Sequence, residues 1–117
     1  MKVAIVGSRE YGNLNQVKLY VADLPPGTTV VSGGATGVDK AAETAAKACG
    51  LEVEIYPAEW DKYGKKAGFV RNRLIVEAAD RVVTFWDGQS RGTANTMGLA
   101  IQMGKKLEVY GSREGQK

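Results

Sequence analysis

Two glycine-rich stretches, Ser32-Gly33-Gly34-Ala35-Thr36-Gly37 and Asp87-Gly88-Gln89-Ser90-Arg91-Gly92-Thr93, have the composition of anion-binding loops. Each follows a short apolar run and leads into a segment of helical periodicity, so each reads as strand, tight turn and helix N-terminus. Backbone N–H groups point outward at such a junction, the helix dipole adds partial positive charge, and missing side chains let a phosphate come close. The same glycines also suit plain turns that pack a helix onto a sheet. Gly7-Ser8-Arg9 leaves a third apolar run, and an arginine there suits a forked contact with phosphate or carboxylate. Thr93 fits a helix cap and an anion donor at once. Asp39, just inside the helix after the first loop, reads equally as a carboxylate balancing the dipole or as an acceptor for a sugar hydroxyl. The chemistry these residues share is recognition of a ligand with phosphate and sugar parts.

Trp60, Tyr63 and Trp86 are rings that either stack a base or cover the core. Lys62, Lys65 and Lys66 form a solvated basic loop or lend a positive field. Arg71 and Asn72 fall near the start of a helix, with Arg73 beside them on a polar face. Cys49 lies on an apolar stripe and reads as packing.

The elements that must position these residues alternate. Strands are expected at about Lys2 to Val6, Thr28 to Ser32, Leu51 to Tyr56, Arg81 to Trp86 and Lys106 to Tyr110. Helices are expected at about Asn13 to Asp23, Gly37 to Cys49, Phe69 to Ala79 and Thr93 to Met103. The third presents Val70, Leu74, Ile75 and Ala78 inward, the fourth Ala94, Met97 and Ile101. Residues Ala58 to Gly68 read as a loop. This pattern predicts an α/β fold: a single Rossmann-like three-layer domain over residues 1–110, with a five-stranded parallel sheet of order 3-2-1-4-5. A polar tail follows at 111–117. That order sets the first and fourth strands side by side at the switch point, so Gly7-Ser8-Arg9 and both glycine loops open onto one carboxyl edge, where ligands bind in such folds.

Composition narrows the classes. With 117 residues, 44% of them hydrophobic and 25% charged, the chain fits one soluble domain. Histidine is absent and Cys49 is the only cysteine. A disulfide framework, a His/Cys zinc site and a histidine-dependent triad are thereby excluded, and no metal is expected. A lone cysteine suits a reducing compartment, so a cytoplasmic location is expected. The opening apolar run is too short for a secretory signal, and no stretch approaches the roughly 20 apolar residues of a membrane span. A net charge of +3 permits an anionic small molecule or nucleic acid as partner and demands neither.

Several motifs, in order, resemble one family. Gly7-Ser8-Arg9, Ser32 to Asp39, Tyr56-Pro57-Ala58-Glu59-Trp60, Gly64-Lys65-Lys66-Ala67-Gly68, Arg71-Asn72-Arg73 and Trp86 to Thr93 are similar to the YspA-like branch of the SLOG superfamily. That superfamily also holds the DNA-processing protein DprA and the LOG-type phosphoribohydrolases. The resemblance implies a Rossmann-like domain that binds nucleotides, their derivatives or nucleic acid at the strand carboxyl edge. It places Arg71 and Asn72 at the pocket and implies a homodimer paired through flanking helices. The expected function is binding or sensing of a nucleotide or ADP-ribose-like ligand, with no cofactor required. Arg9, Arg71 and Arg91 would contact phosphate together with the glycine loops, and Asp39 or Asp87 would read ribose. On this reading Gly34→Asp abolishes binding and leaves the fold intact.

Two alternatives stand beside it. LOG-type hydrolysis of an N-glycosidic bond uses a glutamate two residues after the Gly-Thr of the second loop. Here Gly92-Thr93 is followed by Ala94 and Asn95, so Asp39, Asp87 and the more distant Glu59 are the substitutes and no catalytic residue is assigned. DprA-like binding of single-stranded DNA would use a basic groove with aromatic platforms and depend strongly on salt.

Overall fold

Val3 and Ile5 of β1 (Lys2–Gly7) face one side of the sheet, Ala4 and Val6 the other, and all four are buried. A strand apolar on both faces belongs inside a parallel sheet covered by helices. The computed structural model, which describes residues 1–111, has that sheet. β1 lies between β2 (Thr29–Ser32) and β4 (Arg81–Trp86), and β3 (Glu52–Ile55) and β5 (Lys106–Gly111) form the edges. All pairings are parallel and the order is β3-β2-β1-β4-β5, a Rossmann-like α/β arrangement. β5 reaches Gly111, opposite Trp86, and the rest of the expected tail, 112–117, lies outside the described residues.

Two helices cover each face. α1 (Leu14–Ala22) and α2 (Val38–Ala48) pack Val17, Val21 and an alanine-rich stripe onto Val3, Ile5, Val30 and Phe85. Between β3 and β4 come a single helical turn, α3 (Trp60–Tyr63), and then α4 (Ala67–Ala78). α4 and α5 (Arg91–Gln102) cover the opposite face, burying Ile75, Val76 and Ala100 on Ala4, Val31 and Val82. Each fully buried Val or Ile contributes about 1.5–3 kcal/mol. Among the described residues no helix is long and apolar enough to cross a membrane.

Several local expectations need correction. The stretch 58–68 is not a loop: α3 and a 3-10 turn (Gly64–Lys66) occupy it, and α4 starts at Ala67 rather than Phe69. None of the α3 or turn residues is buried, so no apolar periodicity could announce them. α5 starts at Arg91, because the cap is Ser90, whose Oγ accepts from the Thr93 amide; Thr93 is not the cap. Its inward stripe is Thr93, Thr96 and Ala100, small and partly polar, and Ile101 is 70% exposed instead of inward. Leu74 is likewise exposed, since Ile75 and Val76 fill the α4 interface. Cys49 is exposed, not packed: α2 ends at Ala48 and Cys49 is its cap.

Candidate functional site

The loops leaving β1, β2 and β4 meet at the carboxyl edge, and they interlock. The Ser8 amide donates to the Phe85 carbonyl (3.0 Å) and Ser8 Oγ accepts from the Asp87 amide (3.0 Å), so the β1 exit is tied to the β4 exit. The β1 exit also touches the first glycine loop. Gly37 has φ +79°, and a Cβ there would stand 2.4 Å from the Arg9 carbonyl oxygen, so a side chain would force the two loops apart.

The first glycine loop is organised from within. Asp39 is buried in the first turn of α2, and its Oδ2 accepts from the amides of Gly33 (3.1 Å) and Ala35 (3.3 Å). The Gly34 amide donates to Ser32 Oγ (3.3 Å), which in turn donates to the buried Glu43 (2.6 Å). Lys40 lies 3.5 Å from Glu43. These amides therefore serve the loop's own carboxylate and hydroxyl. Burial pushes the Asp39 carboxyl up to about 6, against the opposing pull of the Ala35 amide, the Arg71 charge and the Gly33 amide.

Arg71 reaches across the sheet edge from α4. Its Nη1 donates to the Gly33 carbonyl (2.8 Å) and its Nε to Asn72 Oδ1 (3.1 Å). Gly33 needs no side chain here because a Cβ would lie 2.5 Å from that Nη1. Burial lowers the proton affinity of Arg71, Asp39 raises it, and the neighbouring Arg9 lowers it again, so the two guanidinium groups feel each other. Asn72 Nδ2 donates to Asn95 Oδ1 (3.0 Å) and to the Gly92 carbonyl (3.3 Å), bridging α4 to the start of α5.

The second glycine loop has its own carboxylate. Asp87 Oδ1 accepts from the amides of Gln89 (2.8 Å) and Ser90 (2.9 Å), and these bonds hold its carboxyl below the usual range. Trp86 Nε1 donates to the Ser90 carbonyl (3.0 Å), closing the loop. The Thr93 amide is capped by Ser90, while the amides of Arg91 and Gly92, at the positive end of α5, have no acceptor among the described residues.

A cleft of about 470 Å³ opens between these loops and the start of α4. Eleven of the residues expected from sequence to bind the ligand line it: Gly7, Arg9, Ala35, Asp39, Arg71, Asn72, Asp87, Ser90, Arg91, Gly92 and Thr93. Ser8, Ser32, Gly33, Gly34, Thr36, Gly37, Trp86 and Gly88 stand outside the lining. Ser8, Ser32 and Trp86 hold the loops in shape through the bonds above. Glu10, Gly68 and Phe69 also line the cleft and were not expected there; Trp60, read as a stacking ring or a core cover, and Lys65, read as a solvated residue or a source of positive field, line it too. Trp60 and Phe69 enter because α3 and the early start of α4 bring them there, features with no periodic signal. Four basic side chains, Arg9, Lys65, Arg71 and Arg91, face three carboxylates. Two of those carboxylates, Asp39 and Asp87, already accept loop amides. Such a lining can hold an anion at its arginines and an apolar or flat group at its aromatic wall. Among the described residues no group of three acidic or thiol side chains is placed to hold a metal ion.

Comparisons with known proteins agree with this architecture. Two solved structures are similar: DNA processing protein A from Helicobacter pylori, with a TM-score of 0.79 at 23% identity, and DprA from Streptococcus pneumoniae, with 0.82 at 24%. They cover 93% and 92% of this chain, which in turn spans 64% and 49% of theirs. At these identities the likeness is one of fold. The gene 61 protein of Mycobacterium phage D29 is 34% identical over 122 aligned residues, covering 96% of this chain and 98% of that protein. The profile of the YspA, cpYpsA-related SLOG family matches residues 1–63. With the glycine loops, the strand order and these matches together, the chain belongs to the YspA, cpYpsA-related SLOG family.

Proposed function

We propose that this protein binds a nucleotide or nucleotide-derived anion in the carboxyl-edge cleft, as a binder rather than as a hydrolase. The observation that carries the reading is the gathering of Arg9, Arg71 and Arg91 on one cleft. Guanidinium groups converging on one concavity form a seat for phosphate or carboxylate. The cleft is within the size range of small-ligand sites, roughly 300–1,000 Å³. Hydrolysis has less support. The position where the LOG pattern has its glutamate is Asn95, whose side chain is joined to Asn72, and Asp39 and Asp87 are occupied by loop amides.

A second reading, single-stranded DNA, is favoured by one specific feature. The solved Helicobacter pylori relative is described by its single-stranded DNA binding mode. Here Trp60, Tyr63 and Phe69 are exposed next to Lys62, Lys65 and Lys66. Rings beside cations suit stacked bases and a phosphate backbone.

A thermal-shift screen against nucleoside mono-, di- and triphosphates, NAD, ADP-ribose and a short oligodeoxynucleotide tests both readings. Ligand at 100 times its dissociation constant stabilises the fold by about 2.7 kcal/mol, several degrees for a domain of this size. A shift with a small nucleotide compound supports the first reading. A shift with the oligonucleotide alone, falling steeply with salt, replaces it with the second.

A further inference from the structure

We infer that the cleft takes a unit with one anionic end and one flat ring, a nucleoside monophosphate, whose ring lies against a wall made by Trp60 and Phe69. The inference rests on the anion-binding reading above and names the class of ligand for the same site.

Trp60 and Phe69 both line the cleft, and they are 56% and 55% exposed. Large apolar side chains left this open, both lining one concave site, are informative in a way that a lone exposed leucine is not. Gly68 lines the cleft too, and a Cβ there would be in ordinary contact, 3.8 Å, with the edge of the Trp60 ring. The indole edge thus lies near a backbone with no side chain of its own. A planar group is the natural complement of such a wall, since ring faces attract one another and any nucleobase has one.

The charged end is fixed by what is already occupied. The amides of Gly33 and Ala35 serve Asp39, and those of Gln89 and Ser90 serve Asp87. Neither glycine loop offers these amides to a phosphate, and each carries a carboxylate that repels one. What remains for an anion is the arginine group, with Arg9 from the β1 exit and Arg91 from the first residue of α5, together with the Arg91 and Gly92 amides left without an acceptor among the described residues at the start of that helix. One anion seat and one ring wall suit a monophosphate better than a diphosphate bridged across two cradles. The same unit exists free or as the 5′-phosphorylated end of a DNA strand.

Calorimetric titration of the full chain decides. The probes are inorganic phosphate, ribose 5-phosphate, nucleoside 5′-monophosphates, ADP-ribose, and a tetranucleotide with and without a 5′-phosphate. A monophosphate should bind at least about tenfold more tightly than ribose 5-phosphate, and Trp60→Ala or Phe69→Ala should remove most of that difference. Trp60→Phe should retain it. A phosphorylated strand outranking the free nucleotide identifies a strand end as the source; the reverse order identifies a free nucleotide. The inference is overturned if ribose 5-phosphate binds as well as the nucleotide or if Trp60→Ala weakens both equally. Tighter binding of ADP-ribose, or indifference to the 5′-phosphate of the strand, also overturns it. If no phosphate compound binds at all, the anion-binding reading falls with it.

Discussion

Burial lifts the Asp39 carboxyl from the ordinary 3.8 to about 6, with the Ala35 and Gly33 amides and the Arg71 charge pulling it down and the nearby Glu43 adding to the rise. The folded chain then holds a proton that the unfolded chain releases. The associated stability is complete below about pH 4 and is lost as pH rises through about 6, by on the order of 3 kcal/mol. Asp87, held low by its own loop, acts in the opposite sense only below about pH 4. Melting temperature should therefore fall between about pH 4 and 6 in the wild type and stay nearly level in Asp39→Asn. A level wild-type curve contradicts the assignment. The arginines divide in the same way. Arg71→Ala removes the bond to the Gly33 carbonyl and the positive charge that favours the buried Asp39 carboxylate, so it should cost about 1–3 kcal/mol of stability as well as affinity. Arg91→Ala, at an exposed position, should leave stability within about 0.5 kcal/mol and weaken binding alone. Denaturant melts of the two variants separate these roles. Arg71 could be placed at the site from its motif, but its grip on the first loop could not be read, because Gly33 lies 38 residues away in sequence.

At the scale of elements, the glycine loops were legible and their internal wiring was not. Glycine next to strand and helix signals marks a turn; which oxygen its amides meet depends on how α2 is seated. Gly37→Ala should destabilise by well over about 1 kcal/mol, since positive φ and a clash with the Arg9 carbonyl act together. Gly64→Ala, with φ +59° and nothing within 4 Å, should cost only about 1 kcal/mol. Equal losses in urea titrations would show that the Arg9 contact is unimportant. Gly34 has φ +77° and Ile55 Cγ2 3.1 Å from a virtual Cβ, so Gly34→Asp is not silent for the fold, as the sequence alone suggested, and should also cost about 1 kcal/mol. Helix ends were read least well where small residues blur the stripe. At the end of α2, Cys49 should react with a thiol reagent in native buffer about as fast as in denaturant, whereas a packed thiol would be protected.

For the molecule as a whole, alternating apolar strands and helical stripes fixed the parallel order β3-β2-β1-β4-β5, because right-handed crossovers leave few other ways to wind them. That order brings the exits of β1, β2 and β4 to one edge and so gathers Arg9 and Arg91, to which α4 adds Arg71, three residues far apart in sequence. The aromatic wall was less legible, since α3 is a single turn with no buried residue. The most direct measurement is calorimetric titration of a nucleoside monophosphate into the wild type and into the Arg9→Ala/Arg91→Ala double variant, with melting temperatures recorded alongside. Saturable binding by the wild type, weakened about tenfold or more in a variant that melts at the same temperature, is the predicted result. Equal affinity in both proteins would contradict the claim that the arginine cleft is the binding site.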